Sequence, residues 1–349
     1  MAKNNELIDA LEQIEKEKNI SKDILLEAIE TSLHAACKNH FGKSDNIKVT
    51  IDRVTGDVGV YAEREIVEHV VDPIIQISQE EAILKFPKYS VGDVVQVEVT
   101  PKNFGRIAAQ KAKQVVVQKI REEERKVLYN IYYEKEKDIV TGIVQRYVNN
   151  NISVNLGKVD TILTEKEQVP GEYFRPTERI KVYLLEVKDS PKGPKITISR
   201  THPELVKRLF EAEVTEVKDG TVEIKSIARE AGSRTKMAVA TNNPDVDPVG
   251  ACVGMNGARV SAIVDELRGE KIDIIEWSDN PEILIQNALS PAKVVSVEVD
   301  AEEKSARVVV PDYQLSLAIG KEGQNVRLAA RLTGYKIDIK SESQVVGEA

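Results

Sequence analysis

Val253-Gly-Met-Asn-Gly-Ala-Arg-Val260 occurs twice in this 349-residue chain, the second time as Ile319-Gly-Lys-Glu-Gly-Gln-Asn-Val326. The copies are sixty-six residues apart, counted from Gly254 to Gly320. Each leads into an amphipathic helical pattern, a glycine and a strand pattern with Lys-Ile-Asp-Ile. One Gly-x-x-Gly arises readily by chance, but the same frame used twice indicates a repeated structural unit.

The glycines of this motif predict a loop that an anion can approach closely. A residue without Cβ adopts positive φ easily. The helix after each loop directs free N–H groups and its positive dipole end toward the loop. KH domains clamp about four nucleotides of single-stranded RNA in this way. The alternative is a helix-turn-helix corner whose glycines only cap helices, which the repeat disfavours. The glycines are Gly254, Gly257, Gly320 and Gly323.

Composition is that of a globular protein with two to four domains, since 30% of the residues are charged and 41% hydrophobic. No apolar run approaches the ~18 residues of a membrane span. Met1-Ala-Lys-Asn-Asn-Glu6 has no signal-peptide pattern. We therefore expect a cytoplasmic protein with no membrane partner.

Cysteine and histidine usage gives no sign of a disulfide or a metal site. Cys37 and Cys252 lie in apolar helical patterns, which favours buried free thiols. No histidine has metal-ligand spacing to either cysteine. We predict no metal, no cofactor and no catalytic residue. The histidines are His34, His40, His69 and His202.

The net charge of −8 is unusual for a nucleic-acid binder. Only residues 131–200 carry more basic than acidic groups. No large positive field therefore steers RNA from a distance, and we expect modest intrinsic RNA affinity.

Residues 6–42 have the pattern of two helices, with Ser21 as a plausible N-cap and Gly42 as the stop. Alternating residues then predict a hairpin at 47–60 and a strand at 95–99. From about Arg106 to Tyr133 no glycine or proline interrupts one long helix, a spacer of roughly 40 Å. Its predicted apolar stripe is Ile107, Ala112, Val115, Ile120, Val127 and Ile131.

Residues 138–200 have five short strand patterns separated by Gly, Asn and Pro, which suits a small OB-type barrel. Tyr147, with Arg146, Asn149 and Asn150, would lie on the face where such barrels stack bases. A core-edge aromatic is an equally good interpretation of Tyr147.

The remainder has the αββααβ order of a type II KH unit twice. The first unit has a helix at 203–214, strands at 221–229 and 234–241, a helix entering Gly254, a helix at 258–268 and a strand at 271–277. In the second, the corresponding segments are 281–289, 294–300, 305–311, 313–319, 324–333 and 335–340. Because the linker Ser278-Asp-Asn-Pro281 is short, the two units are predicted to pack as one body.

This order resembles the NusA family of bacterial transcription elongation factors over essentially the whole chain. The most specific segments are Asp247–Gly254, Glu266–Ile274, Asn287–Lys293 and Gln314–Ala330. The resemblance implies a multidomain α+β protein. Its domains would be an N-terminal α/β polymerase-binding domain with a long linker helix (1–134), an S1-like OB barrel (135–200) and two KH domains (201–278 and 279–349).

The family resemblance also implies a function. The N-terminal domain would dock on RNA polymerase near the β-subunit flap and the RNA exit channel, and the barrel and KH pair would hold nascent RNA. Pausing, intrinsic termination and, with other Nus factors, antitermination would be affected. The expected RNA-binding residues are Gly254, Met255, Asn256, Gly257, Arg259, Gly320, Lys321, Glu322, Gly323, Arg327, Arg146 and Tyr147.

Some positions depart from the family pattern. Asn256 and Glu322 occupy loop positions that are often basic, which argues against a strong phosphate grip. Thr177-Glu178 stands where the barrel usually has Gly-Asp, so this turn is expected to differ.

Other function classes fit less well. Phe41-Gly42-Lys43-Ser44 resembles the end of a P-loop, but Cys37 replaces the first glycine and a helix precedes it. Polynucleotide phosphorylases carry KH and S1 modules, yet about 130 N-terminal residues cannot supply their catalytic domains. A ribosome-associated or translational regulator, or an accessory subunit of an RNA-processing enzyme, remains the alternative.

Overall fold

The computed structural model describes residues 5–41, 46–101 and 104–346. The chain divides into two compact units, Met1–Val127 and Leu128–Ala349. The first unit mixes helices with a small sheet, and the second contains a closed barrel and two three-stranded sheets. The predicted multidomain α+β class is confirmed.

The N-terminal unit begins with the two predicted helices, and the predicted hairpin follows. Strands β1 and β2 pair antiparallel with Val49 opposite Val60. β2 also pairs with β3 in parallel and with β4 antiparallel. The elements are α1 (Asn5–Lys18), α2 (Lys22–Phe41), β1 (Ile47–Ile51), β2 (Val58–Val67), β3 (Gln76–Ser78), α3 (Gln79–Lys85), β4 (Val94–Glu98) and α4 (Phe104–Tyr133).

The predicted long helix α4 is confirmed at 30 residues, about 45 Å, but its apolar stripe is partly wrong. Ile107 and Val127 are about half exposed. In the N-terminal unit, the buried face of α4 consists of Phe104, Ala108, Ala112 and Val116, and the first three are almost inaccessible. Small alanines allow close approach to neighbouring elements, whereas the sequence interpretation favoured larger side chains.

Strand β3 and helix α3 are absent from the prediction. Their signal was local, because Ser78 precedes Gln-Glu-Glu81 and its hydroxyl accepts the Glu81 amide at 3.3 Å. This Ser-x-x-Glu pattern is typical of a helix start. The predicted stop at Gly42 and the P-loop resemblance at 41–44 fall mainly on residues 42–45, outside the described residues.

The predicted five-stranded barrel is confirmed. Its strands close in the order β5-β6-β7-β9-β8. Inward-facing Val144, Val154, Leu163 and Ile198 are fully buried. Tyr132, near the end of α4, packs into this core and donates its hydroxyl to the Leu156 carbonyl at 2.8 Å. The strands are β5 (Ile139–Val148), β6 (Asn151–Asn155), β7 (Asp160–Leu163), β8 (Arg179–Lys188) and β9 (Lys195–Ser199).

Two αββααβ units follow, as predicted. In each sheet the third strand runs parallel to the middle strand. The first unit contains α5 (Pro203–Glu213), α6 (Thr215–Lys218), β10 (Val222–Glu230), β11 (Arg234–Thr241), α7 (Pro248–Val253), α8 (Ala258–Glu266) and β12 (Lys271–Glu276). The second contains α9 (Pro281–Ala288), β13 (Ser296–Asp300), β14 (Ser305–Val310), α10 (Leu315–Ile319), α11 (Gln324–Thr333), β15 (Lys336–Ser341) and α12 (Glu342–Val346).

The two αββααβ units are joined by a hydrophobic cluster that contains residues of both. Ala228 and Ala238 of the first sheet belong to the same buried cluster as Leu328 and Leu332 of α11. A buried lysine adds a polar contact, since Lys236 Nζ donates to the Ser290 carbonyl at 2.7 Å. Burial lowers the pKa of Lys236 despite the nearby Asp273 carboxylate.

The barrel is joined to the first αββααβ unit through a buried arginine. Arg200 is inaccessible to solvent and is paired with Glu172 of the barrel and Glu266 of α8. Burial works against its charge, but the two carboxylates raise the pKa of Arg200 overall. The guanidinium also donates to the Lys181 carbonyl at 2.8 Å. This contact fixes the end of α8 against the barrel.

Candidate nucleic-acid interface

The two Gly-x-x-Gly loops have nearly the same backbone. In the first loop (Gly254–Gly257), Gly254 has φ 75° and ψ 173°, and Gly257 has φ 76° and ψ 15°. In the second loop (Gly320–Gly323) the corresponding values are 77° and 172°, and 73° and 17°. All four glycines therefore have the positive φ that the sequence predicted.

The third position of each loop also lies in the left-handed region, without being glycine. Asn256 has φ 54° and Glu322 has φ 53°. Such a conformation costs an ordinary residue about 1–2 kcal/mol, and asparagine tolerates it better than glutamate does. The second loop therefore holds the more strained residue.

The first glycine of each loop is required by packing. A Cβ on Gly254 would lie 2.7 Å from Arg259 Cγ, and one on Gly320 would lie 2.8 Å from the Asn325 amide nitrogen. A Cβ on Gly257 or Gly323 would meet nothing closer than 3.9 Å. The second glycine of each loop therefore faces open space, and its positive φ, not packing, is the reason that glycine suits this position.

Helices α8 and α11 start at Gly257 and Gly323 without any side-chain cap. Neighbouring helices are capped: His202, Asp247 and Asn280 accept amides at the starts of α5, α7 and α9. The first-turn N–H groups of a helix have no intrahelical partner. Gly257 and Gly323 donate their amides to the Gly254 and Gly320 carbonyls at 3.1 Å, within the loops themselves. Because no side chain caps either helix, each loop lies at an uncapped positive dipole end, which favours an anion such as phosphate.

Arg259, predicted to contact RNA, is occupied inside the protein. Its guanidinium donates to the Ala251 carbonyl at 2.7 Å and to Glu216 at 2.9 Å. At the equivalent place in the second copy, Asn325 is buried and donates to the Ala318 carbonyl at 3.0 Å. Both side chains thus hold the helix that enters the loop.

Arg327 is likewise occupied. Its Nε and Nη2 contact the two Glu230 carboxylate oxygens at 2.5 and 3.1 Å, and its Nη1 donates to the Glu322 carbonyl at 3.1 Å. The Arg327 guanidinium lowers the pKa of Glu230, and Glu230 in turn raises the pKa of Arg327. The second loop is thereby tied to the end of β10 in the first αββααβ unit.

Lys321 and Met255 occupy equivalent exposed positions, Met255 being 87% exposed. Within the part of the chain that the structure describes, the Lys321 ammonium has no hydrogen bond or ion pair. It is the cation of the second loop left available to a ligand.

In the barrel, Tyr147 has features of both interpretations left open by the sequence. It is 38% exposed, and its hydroxyl accepts the Phe174 amide at 3.0 Å. Its ring stacks on Tyr173, with centroids 5.5 Å apart and planes 10° apart. Arg146 is exposed on the adjacent position of β5.

The sequence interpretation missed Tyr173, Glu230 and Gln324. Gln324 Nε2 donates to Glu230 and to Ser233 Oγ at 2.9 and 2.7 Å, which adds to the tie between the two units. No local pattern identifies Glu230 or Gln324. Tyr173 could have been found as an aromatic residue within a turn-rich polar segment.

Other groups do not extend this interface. Cys37 and Cys252 are buried free thiols, and burial raises the pKa of Cys252 to about 11. Among the described residues, no helix is both long and apolar enough to cross a membrane.

Comparison with known protein families matches three segments of the chain. Residues 6–126 match the NusA N-terminal domain, 200–277 the NusA-like first KH domain and 281–346 the NusA-like second KH domain. The αββααβ units described above are therefore KH domains.

Relatives match over nearly the full length. The chain is 58% identical to the transcription termination/antitermination protein NusA of Bacillus subtilis over 97% of this chain and 91% of that protein. It is 43% identical to the same-named protein of Thermus thermophilus, over 96% and 89%. The solution structure of the N-terminal domain of NusA from B. subtilis is 53% identical over 35% of this chain and 98% of that one, with a TM-score of 0.31. The chain therefore belongs to the NusA family of transcription termination/antitermination proteins.

Proposed function

We propose that this chain is a cytoplasmic, non-enzymatic transcription elongation factor that docks on RNA polymerase and holds nascent single-stranded RNA. By doing so it modulates pausing, intrinsic termination and, with other Nus factors, antitermination. The names of the relatives support the transcription role. Docking near the β-subunit flap and the RNA exit channel is part of the proposal.

The observation that carries RNA holding is the matched pair of uncapped helix starts behind the two loops. Each places a positive dipole end beside a glycine with open space around it, so a phosphate can approach the backbone. In this proposal RNA contacts the loops at Gly254–Gly257 and Gly320–Gly323, with Lys321 as the main cation. Arg146 and Tyr147 contact RNA on the barrel.

Different segments of the chain have different roles in this proposal. Residues 1–134 dock on polymerase, whereas the barrel at 135–200 and the KH domains at 201–278 and 279–349 hold RNA. Because net charge is −8 and Arg259 and Arg327, in the helices after the loops, are paired internally, we expect micromolar or weaker binding of free RNA. Docking then supplies an effective concentration of about millimolar.

Site-specific crosslinking of nascent RNA in stalled elongation complexes tests the proposal. The wild-type chain is compared with a Gly257→Asp/Gly323→Asp variant, which adds a carboxylate where phosphate approaches. We expect crosslinks to both KH domains in the wild type and their loss in the variant.

Gly334→Asp is the matched control, because Gly334 lies at the other end of α11 with φ 77° and ψ 12° and open space around it. The control undergoes the same backbone strain and charge change as each single substitution of the double variant, and it should crosslink normally. If the double variant crosslinks as fully as the wild type, the glycines only cap helices and do not contact RNA. Binding to ribosomal subunits instead of core polymerase would favour the translational alternative.

A further inference from the structure

An exposed tyrosine, Tyr173, lies where the barrel meets the first KH domain. Tyr173 is 71% exposed and stacks on Tyr147. The bond from the Phe174 amide to the Tyr147 hydroxyl holds this pair in place, since Phe174 is buried in the barrel core. Tyr173 therefore presents a large ring to solvent from a fixed support.

Beside Tyr173 is an open pocket of about 580 Å³. This volume is within the range of small-molecule sites, roughly 300–1,000 Å³. The barrel contributes Tyr173, Arg175, Pro176, Thr177 and Glu178, and the KH domain contributes Arg268.

The pocket carries more positive than negative charge. Glu178 is the carboxylate of its lining, and it is already paired with Arg268 and accepts the Arg175 amide at 2.8 Å. Arg175 is exposed, and its guanidinium has no hydrogen bond or ion pair to any described residue. In a chain of net charge −8, an aromatic ring beside a free guanidinium favours an anionic aromatic ligand.

The backbone on both sides of the pocket is strained. Thr177 has φ 71° and Arg268 has φ 57°. A β-branched residue such as threonine is a genuine outlier at positive φ. Strain of this kind persists where the surrounding structure supports it, and it concentrates at ligand sites.

Helix α8 connects the first loop to this pocket. Its nine residues, Ala258–Glu266, lead from the loop almost to Arg268, so the helix between the two sites is roughly 14 Å long at 1.5 Å per residue. One extended RNA strand can therefore reach from the loop toward Tyr173 after leaving the nucleotides held by the glycines.

We propose that this pocket binds a nucleotide of the same single-stranded RNA, outside the segment that the first KH loop clamps. The base stacks on Tyr173, and the phosphate contacts Arg175, with Arg268 beside it. The inference rests on the proposed function, because it extends the RNA path from the first KH domain onto the barrel.

Affinity of the full chain for an unstructured RNA of about twelve nucleotides, three times the length that one KH loop clamps, tests the site. Tyr173→Ala should weaken binding about tenfold, in the range measured for base–aromatic stacking. Tyr173→Phe keeps the ring and should stay within about twofold. Arg175→Ala should reduce the log–log salt slope by about 0.7.

Tyr89→Ala, which removes a half-exposed tyrosine from the N-terminal unit, is the matched control and should bind normally. If Tyr173→Ala binds RNA with wild-type affinity while Gly257→Asp binds more weakly, the pocket does not bind a nucleotide. The proposal that the KH domains hold RNA would then still stand. Absence of RNA binding by the wild type, free and in elongation complexes, would overturn both.

Discussion

The first and second loops have one backbone but different supports. Behind the first loop, the Arg259 side chain lies against Gly254 and pairs with Glu216 of its own KH domain. Behind the second loop, buried Asn325 fills that place, and the loop is tied through Arg327 to Glu230 of the other domain. Both loops therefore rest on a local side-chain contact, and the second loop has an interdomain contact in addition.

The largest expected difference lies in the first glycines. We expect Gly320→Ala to lower the unfolding free energy by about 3 kcal/mol, from left-handed strain plus a clash with the Asn325 backbone. Gly254→Ala should cost about 2 kcal/mol, because the Arg259 side chain can shift. Hydrogen exchange of the α8 and α11 amides measures both. Gly334→Ala has the strain alone, and equal effects in all three variants would rule out packing as the cause.

The second glycines should matter for RNA more than for packing. Gly257→Asp or Gly323→Asp should weaken RNA binding about tenfold, because a carboxylate replaces open space near the phosphate. Each also costs about 1 kcal/mol through positive φ. Gly257→Asn separates the effects, since it keeps the strain without the charge. Equal affinity loss for Asn and Asp, measured by fluorescence anisotropy, would contradict the electrostatic account.

The third loop positions allow a direct comparison of charge. Glu322→Lys should tighten RNA binding by about three- to fivefold at low salt and steepen the log–log salt slope by about 0.7. Asn256→Lys should have a smaller effect, because the charge changes by one instead of two. If Glu322 instead reads a base, the change should weaken a preferred sequence and flatten selectivity. A panel of RNAs at two salt concentrations distinguishes these outcomes, and no change in affinity or slope excludes both.

The smallest expected effect concerns the interdomain tie. Glu230→Gln should cost less than about 1 kcal/mol, since Arg327 is 44% exposed. It should free Arg327 for phosphate and raise the salt slope slightly. Glu216→Gln is the matched change at the first loop and should not loosen the KH pair. Hydrogen exchange at the β10 and α11 amides reports the tie, and identical protection patterns in both variants would contradict it.

The same tie has a defined pH dependence. The folded pKa of Glu230 lies below its ordinary value of 4.5, so its stabilisation is complete above that value. It is lost as the pH falls through the lower folded pKa. Wild-type protection should therefore approach that of Glu230→Gln in this acid range only.

Much of this architecture could be predicted because its signals are local. The repeated Gly-x-x-Gly frame, the period-2 strands of the barrel and the uninterrupted α4 helix depend on neighbouring residues. The glycine φ values followed as well, since a tight loop between helices requires them. Strand β3 and helix α3 were missed although Ser78 marked the helix start.

Whether a charged side chain is paired within the protein or available to RNA was decided by tertiary structure alone. Arg259 and Arg327 look like RNA ligands in sequence, but Glu230 lies 97 residues from Arg327 and reaches it only because α11 packs on the first KH sheet. The Tyr147–Tyr173 stack and the approach of Arg268 to the barrel depend in the same way on packing between distant segments. Periodicity and glycine spacing determine which elements form, because they report short-range sterics. Which cation remains free for RNA depends on long-range contacts that no local pattern encodes.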